Sequence, residues 1–300
     1  MTGDRTRKAR AWVLSGVASG LAIVLAACAA APAPVGPVDA TMGVGVVHDP
    51  AATGPMRNGY LTSAVMPDAT ATIPPAPTEG DPRNTADWAI FKATRAMQGS
   101  ERWDLAVNDD SYKTPDLLKD FSCAVGAELT VENSPSLATL MQRASQDAAN
   151  AAAAAKEVYK RRRPFLDNEG EICIARSEGL MKSYDYPSGH SSASWVEGLI
   201  LAELVPDRSA QVLARARAYG ESRVVCGVHN YSAVQAGRTN AAGVFAALHE
   251  SDAFQADMTR AKSELAAARA VGPAPDAARC AREAELTRPL FSAPATGGAN

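Results

Sequence analysis

Apolar residues recur at the spacing of amphipathic helices along most of the chain after Thr85, and strand-like alternation is nearly absent. The spacing predicts seven helices: Asp87–Val107, Pro115–Leu129, Ser136–Arg163, Ser191–Leu204, Asp207–Gly227, Ser232–His249 and Ser251–Ala270. Pro164, Pro187 and Pro206 fall between these segments, as helix breakers do. About 215 residues of helix and loop are enough to bury a sizeable core. We therefore expect an all-α fold, a compact single-domain helical bundle.

The first 28 residues have the pattern of an export signal. A basic segment is followed by an apolar stretch, Trp12 to Ala27, that is short for a membrane-spanning helix and ends in small residues. Leu25-Ala26-Ala27-Cys28 matches a lipobox, so we expect a lipoprotein signal peptide over 1–28, with lipidation at Cys28. An ordinary soluble signal peptide, cut near residues 29–32, is the alternative.

The rest of the chain divides by composition. Residues 29–82 are rich in Pro, Ala, Gly and Thr, which is typical of an extended tether. We expect the folded domain to span 83–290 and a flexible tail to cover 291–300. No second hydrophobic run is long enough to cross a bilayer, so we expect attachment to the membrane by the lipid only, on an exported, periplasmic protein.

Charge and cysteine content narrow the function further. Loss of residues 1–27 removes four basic residues and one acidic residue, which leaves a net charge of about −6. Such a surface argues against nucleic-acid binding, so an anionic substrate needs a local cationic pocket. The cysteines after Cys28 are even in number, which favours two disulfides with three possible connectivities, and no Cys/His spacing suggests a metal site. They are Cys123, Cys173, Cys226 and Cys280.

Three motifs point to phosphate chemistry. The first is Lys156-x6-Arg163-Pro164, whose two cations lie seven residues apart on one predicted helix and so project from the same face. Taken alone, each has an ordinary explanation: a solvated lysine, and an arginine that complements a helix C-terminus. Together they suit the oxygens of a phosphate group.

The second motif, Pro187-Ser188-Gly189-His190, falls at a loop-to-helix junction. Gly189 permits close approach of the backbone to an anion, and free N–H groups at a helix start point toward it. Ser188 would add a hydroxyl donor, and His190 is placed to protonate a leaving alkoxide. A Pro-Gly turn with an incidental histidine is the ordinary alternative.

The third motif is Ser222-Arg223-x5-His229. Arg223 adds a third cation, and a neutral imidazole at His229 is a candidate nucleophile for phosphorus, giving a phosphohistidine. A lone histidine is more often a capping or core residue. The ordered combination of all three motifs favours covalent phosphoryl transfer instead.

This array resembles the signature of the PAP2 superfamily, shared by bacterial class A non-specific acid phosphatases, lipid phosphatases and vanadium haloperoxidases. The similarity to the acid phosphatases extends from about Asp87 to Ala268 and includes Tyr159-x3-Arg163-Pro164-Phe165 and 220–227. The resemblance implies metal-independent hydrolysis of small phosphate monoesters without a cofactor, and homodimers are common among such enzymes.

By motif position, the resemblance implies that His229 is the nucleophile and His190 the general acid. It assigns phosphate binding to five residues: Lys156, Arg163, Ser188, Gly189 and Arg223. It also hints that Cys173 pairs with Cys226, which leaves Cys123 with Cys280.

One expected carboxylate is missing. Similar enzymes have an aspartate four residues after the nucleophile, which orients the imidazole, whereas this chain has Ala233, and Gln235 replaces a further acid. A backbone carbonyl, water, Ser232 or a remote carboxylate could substitute. The alternatives are an active phosphatase with a replaced orienting group, a weakened enzyme, or a protein that binds phosphate without turnover. Without an adjacent carboxylate, we expect His229 to deprotonate more easily than in its relatives.

Overall fold

The computed structural model describes residues 59–291 of the 300-residue chain. The predicted signal peptide with Cys28, most of the predicted tether and residues 292–300 lie outside the described residues.

The described residues form helices joined by loops, with no strand among them, which confirms the all-α fold. The α-helices are α1 (Ala69–Thr72), α2 (Pro82–Arg95), α3 (Glu101–Asn108), α4 (Thr114–Val125), α5 (Pro135–Tyr159), α6 (Pro164–Asp167), α7 (Glu178–Lys182), α8 (Gly189–Leu204), α9 (Ser209–Val225), α10 (Tyr231–Leu248), α11 (Asp252–Val271) and α12 (Ala277–Leu286). A 3₁₀ turn at Pro206–Arg208 precedes α9. None of these helices is long and apolar enough to cross a membrane.

The first predicted helix is two helices. A left-handed glycine, Gly99 with φ 76°, ends the segment after α2, and Ser100 caps α3 by accepting a hydrogen bond from the Trp103 N–H. The apolar spacing continues across this break, which is why periodicity alone did not reveal it.

The long α5 is shorter than predicted. It ends at Tyr159, because Lys160 adopts a left-handed conformation with φ 45°. Arg163 is extended, with φ −72° and ψ 147°, as expected for a residue before proline, and Pro164 then begins α6. The prediction that Lys156 and Arg163 share one helix face was therefore wrong.

Helix α8 lies at the centre of the bundle, with α5, α9 and α10 packed around it. Two glycines permit close approaches between these helices. A Cβ at Gly198 would lie 2.4 Å from the Ala216 Cβ on α9, and one at Gly237 on α10 would lie 2.6 Å from the Ser188 carbonyl oxygen. Close packing at Gly237 holds the start of α8 against α10.

The packed body begins before residue 83. Leu61, Ala69 and Ile73 are buried, and the Tyr60 N–H donates to Asp147 Oδ2 at 2.7 Å. Residues 59–82 of the predicted tether thus pack against the helices, and the remaining tether residues lie outside the described part of the chain.

Two disulfides close the fold. Cys173 pairs with Cys226 and Cys123 with Cys280, the connectivity that the resemblance implied. The first joins the loop before α7 to the end of α9, and the second joins α4 to α12.

Candidate active site

A cavity of about 120 Å³ brings most of the predicted site residues together. Its lining consists of Lys156, Arg163, Leu180, Ser183, Gly189, His190 and His229. These side chains come from α5, the segment before α6, α7 and its C-cap, the start of α8 and the α9–α10 connection. A larger groove, of about 350 Å³, is lined by Trp88 and Arg161 among others and contains neither histidine. The smaller cavity is therefore the candidate site.

Two buried cations line the cavity. Lys156 Nζ donates to the Tyr184 carbonyl at 2.6 Å, and Arg163 donates through Nε to Ser183 Oγ at 2.8 Å and through Nη1 to the Val228 carbonyl at 2.7 Å. Burial, followed by the charge of Arg163, lowers the pKa of Lys156 well below its usual value. A bound anion would favour the charged form of Lys156 and so offset both effects on its pKa, which makes the cavity suited to a phosphate group.

His229 has a carboxylate partner. Its Nδ1 lies 3.0 Å from Oδ1 of Asp185, a fully buried residue in the loop before Pro187. The backbone N–H of Asn230 donates to the same oxygen at 3.0 Å, and Asn230 Nδ2 donates to Oδ2 at 2.8 Å. Of the substitutes considered for the missing aspartate, the structure has the remote carboxylate: Asp185 contacts His229 from 44 positions upstream. The expectation that His229 lacks an adjacent carboxylate was therefore wrong.

Ala233 has another part in the structure. Its methyl group is buried in a small apolar cluster with Tyr186 and Ile73, and its carbonyl accepts the Ser188 N–H at 2.9 Å. Ala233 thus packs α10 against the start of α8, and its methyl group cannot accept a hydrogen bond from His229.

The partners of His229 assign its tautomer. A carboxylate at Nδ1 places the proton there, which leaves the Nε2 lone pair free to accept from Arg163 Nη1 at 3.1 Å. Burial, followed by the charges of Arg163, Lys156 and Arg223, lowers the pKa of His229 well below its usual value. A neutral imidazole with its lone pair toward the cavity is the form a nucleophile requires.

Asp185 is held by a second layer of polar contacts. Arg161 Nη1 lies 3.4 Å from Asp185 Oδ2 and donates to Ser232 Oγ at 2.8 Å, while its Nη2 donates to Asp87 Oδ2 at 3.0 Å. Asp87 in turn accepts the Ser232 backbone N–H at 2.8 Å. Burial raises the pKa of Asp185, and Arg161 and Asn230 oppose that shift. Four donors around one buried carboxylate favour its ionised form.

Ser188 and Arg223 are close to the cavity but do not line it. Ser188 is the N-cap of α8, and its Oγ accepts from the N–H and the hydroxyl of Ser191 at 3.3 and 3.0 Å. Arg223 Nη1 lies 2.8 Å from Asp110 Oδ1. In the described part of the chain, Nη1 is therefore ion-paired, whereas the buried Nε of Arg223 has no hydrogen-bond partner.

His190 is the second residue of α8, where backbone N–H groups have no partner within the helix. Its ring packs against Tyr112 with centroids 4.0 Å apart. Its Nε2 is buried without a hydrogen-bond partner among the described residues and lies 3.7 Å from Asp110 Oδ1. Burial, followed by the charges of Arg223 and His229, lowers its pKa well below the usual value.

Sequence reasoning missed four residues that shape this site: Asp185, Arg161, Asp110 and Tyr112. Asp185 left a weak signal, since an acid two residues before Pro187 falls next to a motif. The other three carry no pattern, and only the fold places Asp110 and Tyr112 beside His190 and Arg161 beside Asp185. Among the described residues, no group of three or more His, Cys, Asp or Glu side chains is arranged to hold a metal ion.

The chain is similar in sequence to known proteins. The model of the PAP2 superfamily matches residues 138–254. An acid phosphatase of Zymomonas mobilis is 42% identical over 209 residues, covering 69% of this chain and 79% of the relative. A non-specific acid phosphatase of Providencia stuartii is 34% identical, covering 69% and 84%, and one of Salmonella typhi is 33% identical, covering 64% and 78%.

The matched segment contains all three motifs, from Lys156 to His229, together with helices α8 and α9 at the centre of the bundle. A helical fold, a cationic cavity with two histidines and relatives named for one activity lead to the same assignment. The chain belongs to the PAP2 superfamily and is a phosphatase of the bacterial acid phosphatase type.

Proposed function

We propose that this enzyme hydrolyses phosphate monoesters through a phosphohistidine at His229, without a metal ion. The observation that carries the proposal is the pairing of His229 Nδ1 with the buried Asp185, which turns Nε2 into a cavity lined by Lys156, Arg163 and His190. Cationic side chains then supply the positive charge that a metal supplies in other phosphatases.

In the first step, Nε2 of His229 attacks phosphorus as the ester P–O bond breaks. In the free enzyme, Arg163 Nη1 donates to Nε2 of His229, so this N–H must move to a phosphate oxygen when the substrate binds. The imidazole becomes positively charged on attack, and Asp185, 3.0 Å from Nδ1, stabilises that charge.

The departing alkoxide takes a proton from His190, which must be charged before the step. Burial and Arg223 disfavour that charge in the free enzyme, and the incoming phosphate dianion restores it. Neutral His190 then accepts a proton from water as the water oxygen attacks phosphorus. The P–N bond breaks, and His229 and inorganic phosphate are released.

The alternative of a phosphate-binding protein without turnover depended on the missing carboxylate at position 233. The contact between Asp185 and His229 removes that ground, because the imidazole retains a buried orienting group. No other feature of the described residues favours the alternative.

The test is hydrolysis of p-nitrophenyl phosphate with and without EDTA, followed by acid-free quenching to trap a phosphorylated histidine from ³²P-labelled substrate. We expect turnover that EDTA does not change, and label at His229. The variant His229→Ala should lose both turnover and label. His249→Ala is the matched control, because His249 pairs with Glu203 at 3.3 Å on the surface. EDTA-sensitive turnover, or turnover by His229→Ala, would refute the mechanism.

We further propose that the enzyme is exported and held at the membrane by a lipid on Cys28, acting on small esters outside the cytoplasm. The lipobox and the composition of the segment after it support this location. Incorporation of labelled fatty acid into the wild type and not into Cys28→Ala tests it; a label in neither protein would favour the soluble signal peptide.

A further inference from the structure

Asp110 lies beside Arg223 and beside His190, the general acid of the proposed mechanism. Its Oδ1 is 2.8 Å from Arg223 Nη1 and 3.7 Å from His190 Nε2. Its side chain is 36% exposed, whereas those of Arg223 and His190 are 1% and 17% exposed. The carboxylate therefore reaches solvent, while the two side chains beside it are largely buried.

The loop after α3 holds Asp110 in this position. On one side, the buried Asp109 pairs with Arg215 at 2.6 Å. On the other, the Tyr219 hydroxyl donates to the Ser111 carbonyl, and Tyr112 packs against the ring of His190. Because the flanking residues are anchored, the backbone of Asp110 is held beside His190.

The mechanism places the leaving group on the same side as Asp110. In an in-line displacement, the departing oxygen lies opposite the attacking atom. That oxygen must approach His190 Nε2 to receive a proton, and Asp110 Oδ1 is 3.7 Å from the same nitrogen. Whatever group the ester oxygen carries is therefore close to a carboxylate.

We propose that Asp110 determines leaving-group specificity: it favours monoesters of neutral or cationic alcohols and disfavours leaving groups with a negative charge next to the ester oxygen, such as a second phosphoryl group. Like charges brought together without compensation oppose binding. Arg223 offsets part of the Asp110 charge through the contact at 2.8 Å, but Arg223 does not line the cavity and so does not shield the leaving group from that charge. The inference rests on the proposed function of the same cavity and adds its substrate class.

The experiment compares kcat/KM for phosphoethanolamine, glycerol 2-phosphate and inorganic pyrophosphate in the wild type, Asp110→Asn and Asp110→Glu. The intrinsic reactivities of the three substrates cancel when kcat/KM of each variant is divided by kcat/KM of the wild type for the same substrate. We expect Asp110→Asn to raise the pyrophosphate-to-phosphoethanolamine ratio about tenfold, a modest factor because Asp110 is partly exposed and screened. Asp110→Glu should keep the discrimination, and added salt should weaken it in the wild type.

Asp207→Asn is the matched control, since Asp207 pairs with Arg269 on the surface and its loss changes net charge equally. An unchanged ratio in Asp110→Asn, or an equal change for all three substrates, would overturn the proposal while leaving phosphatase activity intact. If the wild type hydrolyses none of the three substrates or p-nitrophenyl phosphate, the proposed function fails, and the specificity proposal fails with it.

Discussion

Replacing Asp185 by asparagine should remove the charge that stabilises His229 during attack while keeping the size of the side chain. In the enzyme, Oδ1 accepts from His229 Nδ1 and the Asn230 N–H, and Oδ2 accepts from Asn230 Nδ2 and lies near Arg161. An amide has one acceptor oxygen, so its NH₂ group must face a donor. Either the imidazole or Asn230 loses its partner.

The size of the effect follows from the geometry. His229 Nδ1 and Asp185 Oδ1 are 3.0 Å apart, and the side chain of Asp185 is fully buried. With charge centres about 4 Å apart and an effective dielectric constant of about 20, the lost attraction is roughly 4 kcal/mol. That free energy corresponds to about a thousandfold in the rate of attack.

The assay is steady-state hydrolysis of p-nitrophenyl phosphate together with phosphohistidine trapping. We expect kcat for Asp185→Asn to fall about a thousandfold, while KM changes little, because Asp185 does not line the phosphate cavity. Circular dichroism and thermal melting establish that the variant is folded. A kcat within about threefold of the wild type in a folded variant would refute the role assigned to Asp185.

Moving the carboxylate from position 185 to position 233 gives a second test of the role of Asp185. Ala233→Asp alone should give no gain, since it adds a second negative charge near the Asp185–His229 pair and buries it where a methyl group packs. In Asp185→Asn/Ala233→Asp, one carboxylate remains, four residues after His229, and we expect part of kcat to return. A faster single Ala233→Asp variant would show that Asp185 does not supply the orienting charge.

Three further predictions concern pH and stability. Because the pKa of His190 is lowered and the residue must be protonated to act, kcat/KM should fall as pH rises from the acid range, while His229, whose pKa is also lowered, stays neutral there; a pH–rate profile with an alkaline optimum would contradict this. Burial raises the pKa of Glu197 from 4.5 to about 8, so the folded protein becomes less stable as pH rises between those values. Glu197→Gln should therefore raise the free energy of unfolding at pH 8 by up to roughly 5 kcal/mol, which is seen as a higher Tm, and should change Tm little at pH 4. Equal Tm shifts at both pH values would contradict the assignment. Removing the disulfide between Cys123 and Cys280, which are 157 positions apart, should lower the free energy of unfolding by up to roughly 5 kcal/mol in urea titration, and an unchanged midpoint would show that it adds no stability.

Much of the fold was predictable because helical spacing is a local property. The central segments, such as those that form α8 and α10, were located to within two residues at each end. Helix α12 and the short helices α1, α6 and α7 were not predicted. Two further errors fell where backbone conformation interrupts continuous apolar spacing: at Gly99, which separates α2 from α3, and at Lys160, which ends α5 early. Single left-handed residues leave little trace in a hydrophobic pattern.

By itself, the sequence determined the class of chemistry, because the residue types and their order along the chain carry the three motifs. It brought Lys156, Arg163, Gly189, His190 and His229 to notice, and the fold gathers all five around one cavity. Motif spacing was enough to identify these residues because each motif lies at a helix end or a turn, which short stretches of sequence specify.

Only the tertiary structure decided which carboxylate serves His229. Asp185 and His229 are 44 positions apart, and they meet because α10 packs tightly on the start of α8 across Gly237. The same holds for Asp110, which the anchored loop after α3 brings to His190. An orienting carboxylate needs a position in space and not a place in the sequence, so a missing aspartate in a motif says little until the fold is known.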